Sequence, residues 1–446
     1  MTAATQTVPR TPLHPWIAEK IGISSDRLTR HVITCYQLEK LRQSICRVRE
    51  HSPFYSNHLR LVDPASIESL EDLRRIPFTT PQQLASHVAR MLCVSQDEVS
   101  RVVTQVTSGT SGDPKRFFFS AADQESTLDF FAHGVSTLTS PGDRMLIALP
   151  GERSGSVGQL LAQGTERFGL QPIAYGLIRH PQHALETMDR EGATSIIGFP
   201  LQLILLASQC GSLADRVFSR LNSIVLCSDY VSPSIVCRLR ERAGCEVFQH
   251  YGMTETGLGG GVDCRAHEGY HLRETDLLFE IVDPRTGESV PDGSSGEVVF
   301  STLTCGAMPL IRYRTGDTSS FPVNPCACGS CVRVLRYLRT RIDSHVPISN
   351  CGEISLADLE DALFALPEVI DLACTLTRGE RSDLAIALRT ADNPHGGLVD
   401  RAVRELEKIP AIGSGCMTGK LRVQISVTSE AVLFSGAKRR LEVRTP

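Results

Sequence analysis

Short apolar runs alternate with helical patterns through the middle of this chain, and this alternation constrains the fold more than any other feature. Four runs indicate strands: Arg144–Leu149, Ser195–Phe199, Ile224–Cys227 and Glu246–His250. Strands that alternate with helices form a largely parallel sheet whose two faces are covered by helices. The sequence therefore predicts an α/β fold, with a large N-terminal domain built on parallel sheets.

The last of these runs leads directly to Tyr251 and Glu255. Open α/β sheets tend to bind their ligands at the carboxyl ends of the strands. We therefore expect these two side chains at a ligand-binding edge.

The pattern changes twice further along the chain. From about Leu277, strand-like runs separated by glycine and proline turns indicate a β-rich subdomain: Leu278–Val282, Gly296–Thr302 and Val332–Leu338. After Asp343, an amphipathic helix at 355–366 and strands near 370–377 and 383–389 indicate a compact α+β unit. A chain of 446 residues is too long for one core. We expect an N-terminal domain at residues 1–342, with the β-rich part at about 277–342, and a small mobile C-terminal domain at 343–446.

Hydroxyl side chains alternate with glycines in one loop, and a lysine follows them. Glycines let the backbone turn its N–H groups towards a ligand, hydroxyls add donors, and the lysine adds a positive charge. Such a loop can hold the phosphates of a nucleotide, although it lacks the Gly-Lys-Ser/Thr ending of the common phosphate loop. A flexible surface turn is the alternative. The candidate residues are Thr107, Ser108, Gly109, Thr110, Ser111, Gly112 and Lys115.

Charge and hydropathy argue against several classes of partner. The 46 basic and 50 acidic residues give a net charge of −4, without a long run of either sign. Nothing here indicates a nucleic-acid surface or a polybasic membrane patch. No apolar stretch reaches the roughly 18 residues of a membrane helix, and residues 1–15 lack the apolar core of a signal peptide. We therefore expect a cytoplasmic protein with no membrane partner.

Six of the 15 cysteines stand singly in apolar surroundings, where we expect small buried side chains. These are Cys35, Cys46, Cys93, Cys210, Cys227 and Cys374. One group differs, because Pro325–Cys331 supplies three thiols within six residues, and Cys264, His267 and His271 lie upstream. Thiolates and imidazoles in this number suit tetrahedral zinc in a reducing compartment. A cysteine-rich turn without metal is the alternative.

Three further motifs follow the hydroxyl-glycine loop in order: Tyr-Gly-Met-Thr-Glu-Thr at 251–256, Arg-Tyr-Arg-Thr-Gly-Asp at 312–317, and Gly-Ala-Lys-Arg-Arg at 436–440. In this order and spacing they resemble the adenylate-forming enzymes, the superfamily of acyl-CoA synthetases, adenylation domains and luciferases. His51–Tyr55 and Ala307–Asp317, with the cysteine pair that follows, resemble the phenylacetate-CoA ligase-like branch more closely. The resemblance extends from about Trp16 to Lys438.

The resemblance implies that the protein activates a carboxylic acid with ATP and Mg²⁺, through an acyl-adenylate. Glu255 matches the magnesium-linked glutamate, and one carboxylate plus phosphate oxygens suits an ion that keeps much of its water. Thr254 would lie near the α-phosphate, and Tyr251, with Gly252 and Met253 beside it, would stack on or flank the adenine. Asp317 matches the aspartate that accepts hydrogen bonds from the ribose hydroxyls.

Two C-terminal matches depart from the family pattern. Lys438 matches the lysine that bridges carboxylate and phosphates, but Ala437 stands between it and the glycine. A solvated tail lysine is the alternative. Arg341 and Asp343 resemble the hinge motif, with Thr340 in place of its glycine and Ser344 in place of its second aspartate. The resemblance implies that Arg341 contacts the nucleotide and that Asp343 is the pivot of the C-terminal domain.

The resemblance also implies a particular set of zinc ligands. Some members of the branch carry zinc between the corresponding segments, and the match here is Cys264, His271, Cys326 and Cys328. His267 and Cys331 are rival ligands. Such a zinc would be structural.

The resemblance also implies a class of substrate and an acceptor. The substrate is a small carboxylic acid, commonly an aryl or arylacetic acid, with Phe199, Pro200 and Tyr230 as candidate pocket residues. Core packing explains Phe199 equally well. Free-standing members of the branch transfer the acyl group to coenzyme A, and a homodimer is common among them. Two alternatives remain: an adenylyltransferase without a CoA step, such as a deazaflavin-coenzyme adenylyltransferase, and a non-catalytic nucleotide-binding module.

Overall fold

The structure, a computed structural model, describes residues 8–105, 115–391, 396–428 and 439–444. Its helices are α1 (Leu13–Ile21), α2 (Arg30–His51), α3 (Pro53–His58), α4 (Pro81–His87), α5 (Ala121–Val135), α6 (Val157–Arg167), α7 (Pro181–Glu191), α8 (Pro200–Ala207), α9 (Ser212–Ser219), α10 (Pro233–Ala243), α11 (Leu356–Leu363), α12 (Leu398–Glu407) and α13 (Pro410–Met417). Short 3₁₀ turns join several of them.

The strands are β1 (Val99–Gln105), β2 (Lys115–Ser120), β3 (Arg144–Ala148), β4 (Gln171–Ala174), β5 (Ser195–Gly198), β6 (Ser223–Cys227), β7 (Glu246–Tyr251), β8 (Gly261–Val262), β9 (Tyr270–Leu272), β10 (Leu277–Val282), β11 (Gly296–Thr302), β12 (Tyr313–Ser319), β13 (Val334–Leu335), β14 (Val346–Pro347), β15 (Glu353–Ile354), β16 (Val369–Thr377), β17 (Ser382–Thr390), β18 (Leu421–Thr428) and β19 (Glu442–Arg444).

The chain divides into two compact units, each made of separate segments. The first unit contains Met1–Pro141, Arg153–Leu170 and Phe248–Leu338, and the second contains Gly142–Glu152, Gln171–Val247 and Arg339–Pro446. The domain boundary that the sequence predicts between residues 342 and 343 stays a prediction.

The first unit is built on antiparallel pairs. Strands β1 and β2 form a hairpin, β10, β11 and β12 form a three-stranded sheet, and β7 continues through β8 and β9 to β13. One apolar core joins α2, α3, the hairpin and the three-stranded sheet, with Leu41, Phe117 and Phe300 among its buried members. Ser120 and Asp123 cap the N-terminus of α5 reciprocally, which fixes the turn from β2 into that helix.

The second unit contains the parallel sheet that the sequence predicts. Its strands stand in the order β6, β5, β3, β4, and each neighbouring pair is parallel. Every residue of β5 and β6 is buried, because helices cover both faces of such a sheet. These strands and the C-terminal elements share one apolar core, which includes Ile196, Ile224 and Leu359.

The C-terminal part of the second unit carries a four-stranded mixed sheet in the order β18, β17, β16, β19. Strands β16 and β17 are antiparallel, while β18 and β19 add to them in parallel. Ser355 and Asp358 cap α11 through hydrogen bonds of 2.8 to 3.3 Å. The α+β expectation for this part of the chain is confirmed.

Two local expectations are wrong. The run Val332–Leu338 forms only the two-residue strand β13, and the third strand beside β11 is β12, in the polar Arg-Tyr-Arg-Thr-Gly-Asp motif. Cys35, Cys46 and Cys210 are exposed, whereas Cys93, Cys227 and Cys374 are buried as expected. Cys35 and Cys46 lie on α2, whose buried side is already filled by Ile33, Leu41 and Ile45.

Among the helices of the described residues, none is long and apolar enough to cross a membrane.

Candidate active site

The hairpin of β1 and β2 holds both ends of the hydroxyl-glycine loop. Gln105 pairs with Lys115 in the antiparallel register, so residues 106–114 connect two adjacent positions. The predicted loop residues Thr107, Ser108, Gly109, Thr110, Ser111 and Gly112 lie outside the described residues, as does Lys438. Lys115 is the first residue of β2, and its side chain is 17% exposed.

Lys115, Glu255 and Tyr313 form a close triangle in the first unit. The Nζ atom of Lys115 lies 3.9 Å from Oε1 of Glu255 and donates to the Tyr313 hydroxyl at 3.5 Å. That hydroxyl donates to the same Oε1 at 3.2 Å. The sequence predicts Lys115 and Glu255 as site residues but not Tyr313. Two residues that are 140 positions apart in the chain therefore meet through a third.

The turn that carries Glu255 is fixed by its own backbone. Thr254–Thr256 forms one 3₁₀ turn, closed by the Met253 amide, which donates to the Thr256 hydroxyl at 3.1 Å. A Cβ atom on Gly252 would lie 2.2 Å from the Leu258 carbonyl oxygen, so only glycine fits there. Thr254 and Glu255 are 7% and 9% exposed. The turn therefore holds a largely buried carboxylate in place.

Tyr251 and Asp317 lie together in the same unit. The Tyr251 hydroxyl donates to Oδ2 of Asp317 at 3.2 Å, and the Tyr251 ring lies 5.7 Å from the Tyr270 ring. The Asp317 amide donates to the Thr315 hydroxyl at 3.0 Å. The sequence predicts both residues for the nucleoside, and the structure brings them together as neighbours.

An open pocket lies behind the Glu255 turn. Thr254, Glu255 and Gly257 form one wall, and the apolar part of the lining includes Phe117, Phe119 and Met308. Its polar side chains include Asp123, Ser126, Thr127 and Arg273. The sequence does not predict this pocket, because its walls come from segments far apart in the chain.

Four buried ligand atoms form a separate cluster in the first unit. Cys264, His271, Cys326 and Cys328 place their ligand atoms within 4.8 Å of one another. The sulfurs of Cys264 and Cys326 are 3.6 Å apart, and the Cys328 sulfur lies 3.3 Å from Nε2 of His271. Tetrahedral zinc with bonds of about 2.0 to 2.3 Å places its ligand atoms about 3.5 Å apart. The donor set therefore fits zinc.

The surroundings of this cluster suit a metal as well. Nδ1 of His271 lies 3.3 Å from the Val332 carbonyl oxygen, to which it can donate, and this leaves Nε2 to face the thiols. Hydrogen bonds from Cys264 and Cys326 hold the pKa of the Cys328 thiol below its usual range. A thiolate is the form that binds zinc.

The two rival ligands have other partners. Nδ1 of His267 lies 2.8 Å from an oxygen of Asp263, and the Cys331 thiol donates to the Leu28 carbonyl oxygen at 3.3 Å. Neither belongs to the four-residue cluster.

The remaining predicted residues lie in the second unit. Phe199 precedes α8, and Pro200 is its buried first residue. The Tyr230 hydroxyl donates to Oδ1 of Asp361 at 2.7 Å. Nε of Arg341 lies 3.4 Å from Oδ1 of Asp343, and both side chains are exposed. The sequence gives no sign of the partner that Tyr230 finds.

The first unit contains a largely buried carboxylate beside a lysine, and a tyrosine–aspartate pair. Residues 51–306, more than half of the chain, match the family described as AMP-binding enzyme. The chain belongs to that family.

The curated relatives include phenylacetate-coenzyme A ligases. That of Thermus thermophilus is 29% identical over 353 residues, which cover 77% of this chain and 78% of the relative. That of Aromatoleum evansii is 28% identical over 303 residues, which cover 66% of this chain and 67% of the relative.

Solved structures share the fold at lower identity. A 2-hydroxyisobutyryl-CoA ligase in complex with 2-HIB-AMP matches with a TM-score of 0.78 and 20% identity, over 92% of this chain and 89% of that one. The anthranilate CoA ligase AuaEII matches with a TM-score of 0.54 and 17% identity, over 73% of this chain and 63% of that one.

Proposed function

We infer that this protein is an ATP-dependent, AMP-forming acid–CoA ligase of the phenylacetate-CoA ligase-like branch. The observation that carries the inference is the Lys115–Glu255–Tyr313 triangle, which lies at the exit of the hydroxyl-glycine loop in a chain of the AMP-binding enzyme family. The phenylacetate-coenzyme A ligase relatives favour coenzyme A as acceptor over an adenylyltransferase reaction without a CoA step.

In the first half-reaction, a carboxylate oxygen bonds to the α-phosphorus of ATP, and the bond to the β-phosphate oxygen breaks to release pyrophosphate. Negative charge gathers on the phosphates, so donors and cations that are already in place stabilise the transition state. Residues 107–112 would donate hydrogen bonds to the phosphates, and Lys115 and Lys438 would supply positive charge. Mg²⁺, when bound through Glu255, would offset the charge of the phosphate oxygens.

The nucleoside would lie beside Tyr251 and Asp317. A carboxylate accepts two hydrogen bonds at once, so Asp317 suits the two ribose hydroxyls. The 3.2 Å bond from Tyr251 supports this role, because it fixes the orientation of the Asp317 carboxylate. Gly252, Met253 and Thr254 would line the nucleotide side of the turn, and Arg341 would reach it from the hinge.

In the second half-reaction, the thiol of coenzyme A loses its proton and bonds to the acyl carbon, and the bond to AMP breaks. We propose that residues 343–446 turn about Asp343 between the two steps. The thiol thereby reaches the adenylate that Lys438 helped to form.

The cluster of Cys264, His271, Cys326 and Cys328 would hold one structural zinc. Three thiols and one imidazole are a common structural donor set, and the carbonyl partner of His271 presents Nε2 to the site. Such an ion would not take part in either half-reaction.

The substrate would be a small carboxylic acid, with aryl and arylacetic acids as the first candidates. Phe199, Pro200 and Tyr230 remain the proposed pocket residues. Pro200 is buried, and Phe199 follows the carboxyl end of β5, the edge that favours ligands. A homodimer and a cytoplasmic location remain proposals as well.

ATP–pyrophosphate exchange against a panel of aryl, arylacetic and short aliphatic acids, with and without coenzyme A, tests the function. We expect exchange with one acid class, AMP and a thioester once coenzyme A is added, and loss of exchange in Lys438→Ala. Exchange in which AMP moves to a hydroxyl without a thioester would contradict the CoA step. Nucleotide binding without exchange for any acid would favour a non-catalytic module.

A further inference from the structure

One phenol connects the two charged groups of the candidate site. The direct distance from Lys115 Nζ to Glu255 Oε1 is 3.9 Å, longer than either contact through the Tyr313 hydroxyl, at 3.5 and 3.2 Å. A hydroxyl can accept from an ammonium and donate to a carboxylate at the same time. The Tyr313 hydroxyl therefore lies where it can set the orientation of both.

We propose that Tyr313 is a positioning residue for the adenylation step. Its hydroxyl would orient the Glu255 carboxylate towards a Mg²⁺ ion bound to the phosphates of the nucleotide. This rests on the function proposed above. Among the described residues, both contacts to Glu255 fall on Oε1, so Oε2 would be the oxygen available to the cation. A carboxylate held in one rotamer binds a metal without first losing conformational freedom.

Burial prevents the phenol from swinging away. Tyr313 is 1% exposed, and its ring lies 5.6 Å from the Phe300 ring in the apolar core of the first unit. Because the ring is enclosed on all sides, its hydroxyl has one position. The side chain thus combines a core role for the ring with a polar role for the oxygen.

The backbone before Tyr313 is held in an unusual conformation. Arg312 has a φ of 45°, a left-handed value that costs free energy in a residue with a side chain. Its guanidinium makes two bonds to the Glu280 carboxylate, at 3.0 and 2.8 Å, and lies 4.1 Å from the centre of the Phe78 ring. The buried Arg312–Glu280 pair stabilises this strained backbone, which directs the Tyr313 side chain towards Glu255.

A second brace comes from the N-terminal motif. The Thr79 amide donates to the Arg312 carbonyl at 3.0 Å, and the Arg314 amide donates to the Thr79 carbonyl at 3.0 Å. The Tyr55 hydroxyl lies 3.1 Å from the Thr79 hydroxyl and accepts from the Ile311 amide at 3.1 Å. The His51–Tyr55 motif therefore supports the strand on both sides of Tyr313.

The variant Tyr313→Phe tests the proposal, because it keeps the ring in the core and removes only the hydroxyl. We expect adenylation kcat/KM to fall about ten- to a hundredfold, the factor that loss of a hydrogen bond to a charged group gives. Calorimetry without acid substrate supplies a readout apart from turnover. The wild-type protein should bind ATP more tightly with Mg²⁺ than with EDTA. This Mg²⁺-dependent gain in affinity should be smaller in Tyr313→Phe.

Two comparison variants make the test specific. Tyr337→Phe removes another phenol–carboxylate bond of this unit, to Asp263 at 2.8 Å, and should keep the Mg²⁺-dependent gain. Glu255→Gln should lose the gain, and Tyr313→Phe added to it should reduce the Mg²⁺-dependent gain no further, because Tyr313 acts on the cation through Glu255.

A wild-type Mg²⁺-dependent gain in folded Tyr313→Phe would overturn the proposal, as would additive losses in the double variant. Failure of the wild-type enzyme to exchange pyrophosphate would instead count against the proposed function. The calorimetric comparison would still decide the role of Tyr313.

Discussion

At the scale of single residues, the first unit contains a buried imidazole, that of His250, directly before Tyr251 in the chain. The His250 ring lies 6.3 Å from the rings of both Phe130 and Phe131, and its Nε2 has no hydrogen-bond partner within the described part of the chain. Burial lowers the pKa of His250 from 6.5 to about 4. The residue is therefore neutral in the folded protein at physiological pH.

His250 should make the first unit sensitive to acid. Below pH 6.5 the unfolded chain binds a proton that the folded state rejects until about pH 4, so stability falls as the pH falls through this range. The loss reaches up to about 3 kcal/mol. Urea unfolding between pH 7.5 and pH 4 should show a shallower loss in His250→Asn than in the wild type. The exposed-site variant His31→Asn is the control, and equal pH slopes in wild type and His250→Asn would contradict the assignment.

The sequence is informative about charged site residues and less so about the groups that orient them. The composition of the hydroxyl-glycine loop predicts a phosphate role for Lys115, and the resemblance to the adenylate-forming enzymes predicts a magnesium role for Glu255. Tyr313 also stands in one of the motifs that carry this resemblance, at 312–317. However, it begins a strand in which every second residue is buried, so the sequence favours a core role for it. Its polar role depends on where Glu255 lies, which no local pattern contains.

At the scale of elements, helix α11 is tied to the loop after β6. Oδ1 of Asp361 accepts from the Tyr230 hydroxyl at 2.7 Å, and Oδ2 lies 3.1 Å from the Arg339 guanidinium. That guanidinium also lies 2.8 Å from Asp358, one turn earlier on the helix. Ser228, just before this loop position, has a φ of 74°, so the loop itself is strained. Arg339 stands two residues before the predicted hinge motif.

If the C-terminal segment turns about Asp343, the Tyr230–Asp361 bond must break in one of the two catalytic states. Tyr230→Phe should then change the ratio of adenylation rate to thioester-forming rate by about tenfold, the value of one hydrogen bond to a charged group. The two half-reactions are measured separately, the second from a supplied acyl-adenylate. Asp361→Asn should shift the ratio in the same direction.

The control for this experiment is Tyr175→Phe, which removes a partly buried phenol of the same unit whose oxygen lies 2.8 Å from Nδ1 of His183. An unchanged ratio in Tyr230→Phe would show that the bond persists through both states or carries no weight. If Tyr230→Phe only raises the KM for the acid substrate, Tyr230 belongs to the substrate pocket instead.

The elements that the sequence predicts well are those whose pattern reflects burial. The fully buried strands β5 and β6 and the capped helix α11 follow from such patterns. Strand β12 is harder to predict from the sequence, because its more exposed positions are polar. It is a strand because it pairs with β11. Helix α13 begins at Pro410 and contains two glycines, so its propensity is low and tertiary contacts hold it.

At the scale of the whole molecule, the cysteine cluster joins distant parts of the first unit. Cys264 and Cys326 are 62 residues apart in the chain, and the three-stranded sheet of β10, β11 and β12 lies between them in sequence. A metal bound there closes a long loop and stabilises the folded state by its binding free energy.

We expect purified protein to carry about one zinc per chain, as a four-ligand structural site does. Cys326→Ser combined with Cys328→Ser should remove it and lower the melting temperature, because the site no longer supports the fold. Elemental analysis and thermal unfolding with and without chelator measure both effects. Cys331→Ser is the matched control, since that thiol lies outside the cluster and should leave the zinc in place. Metal-free protein from a chelator-free preparation, with an unchanged melting temperature in the double variant, would contradict the site.

The exposed cysteines have a practical consequence for anyone who labels this protein. Cys35, Cys46, Cys210 and Cys237 offer accessible thiols on both units, whereas the sulfurs of Cys264, Cys326 and Cys328 are enclosed. Maleimide dyes will therefore attach at several sites without any engineered cysteine. Mass spectrometry can count the attached dyes, and additional adducts after chelation would report how firmly the enclosed sulfurs are protected.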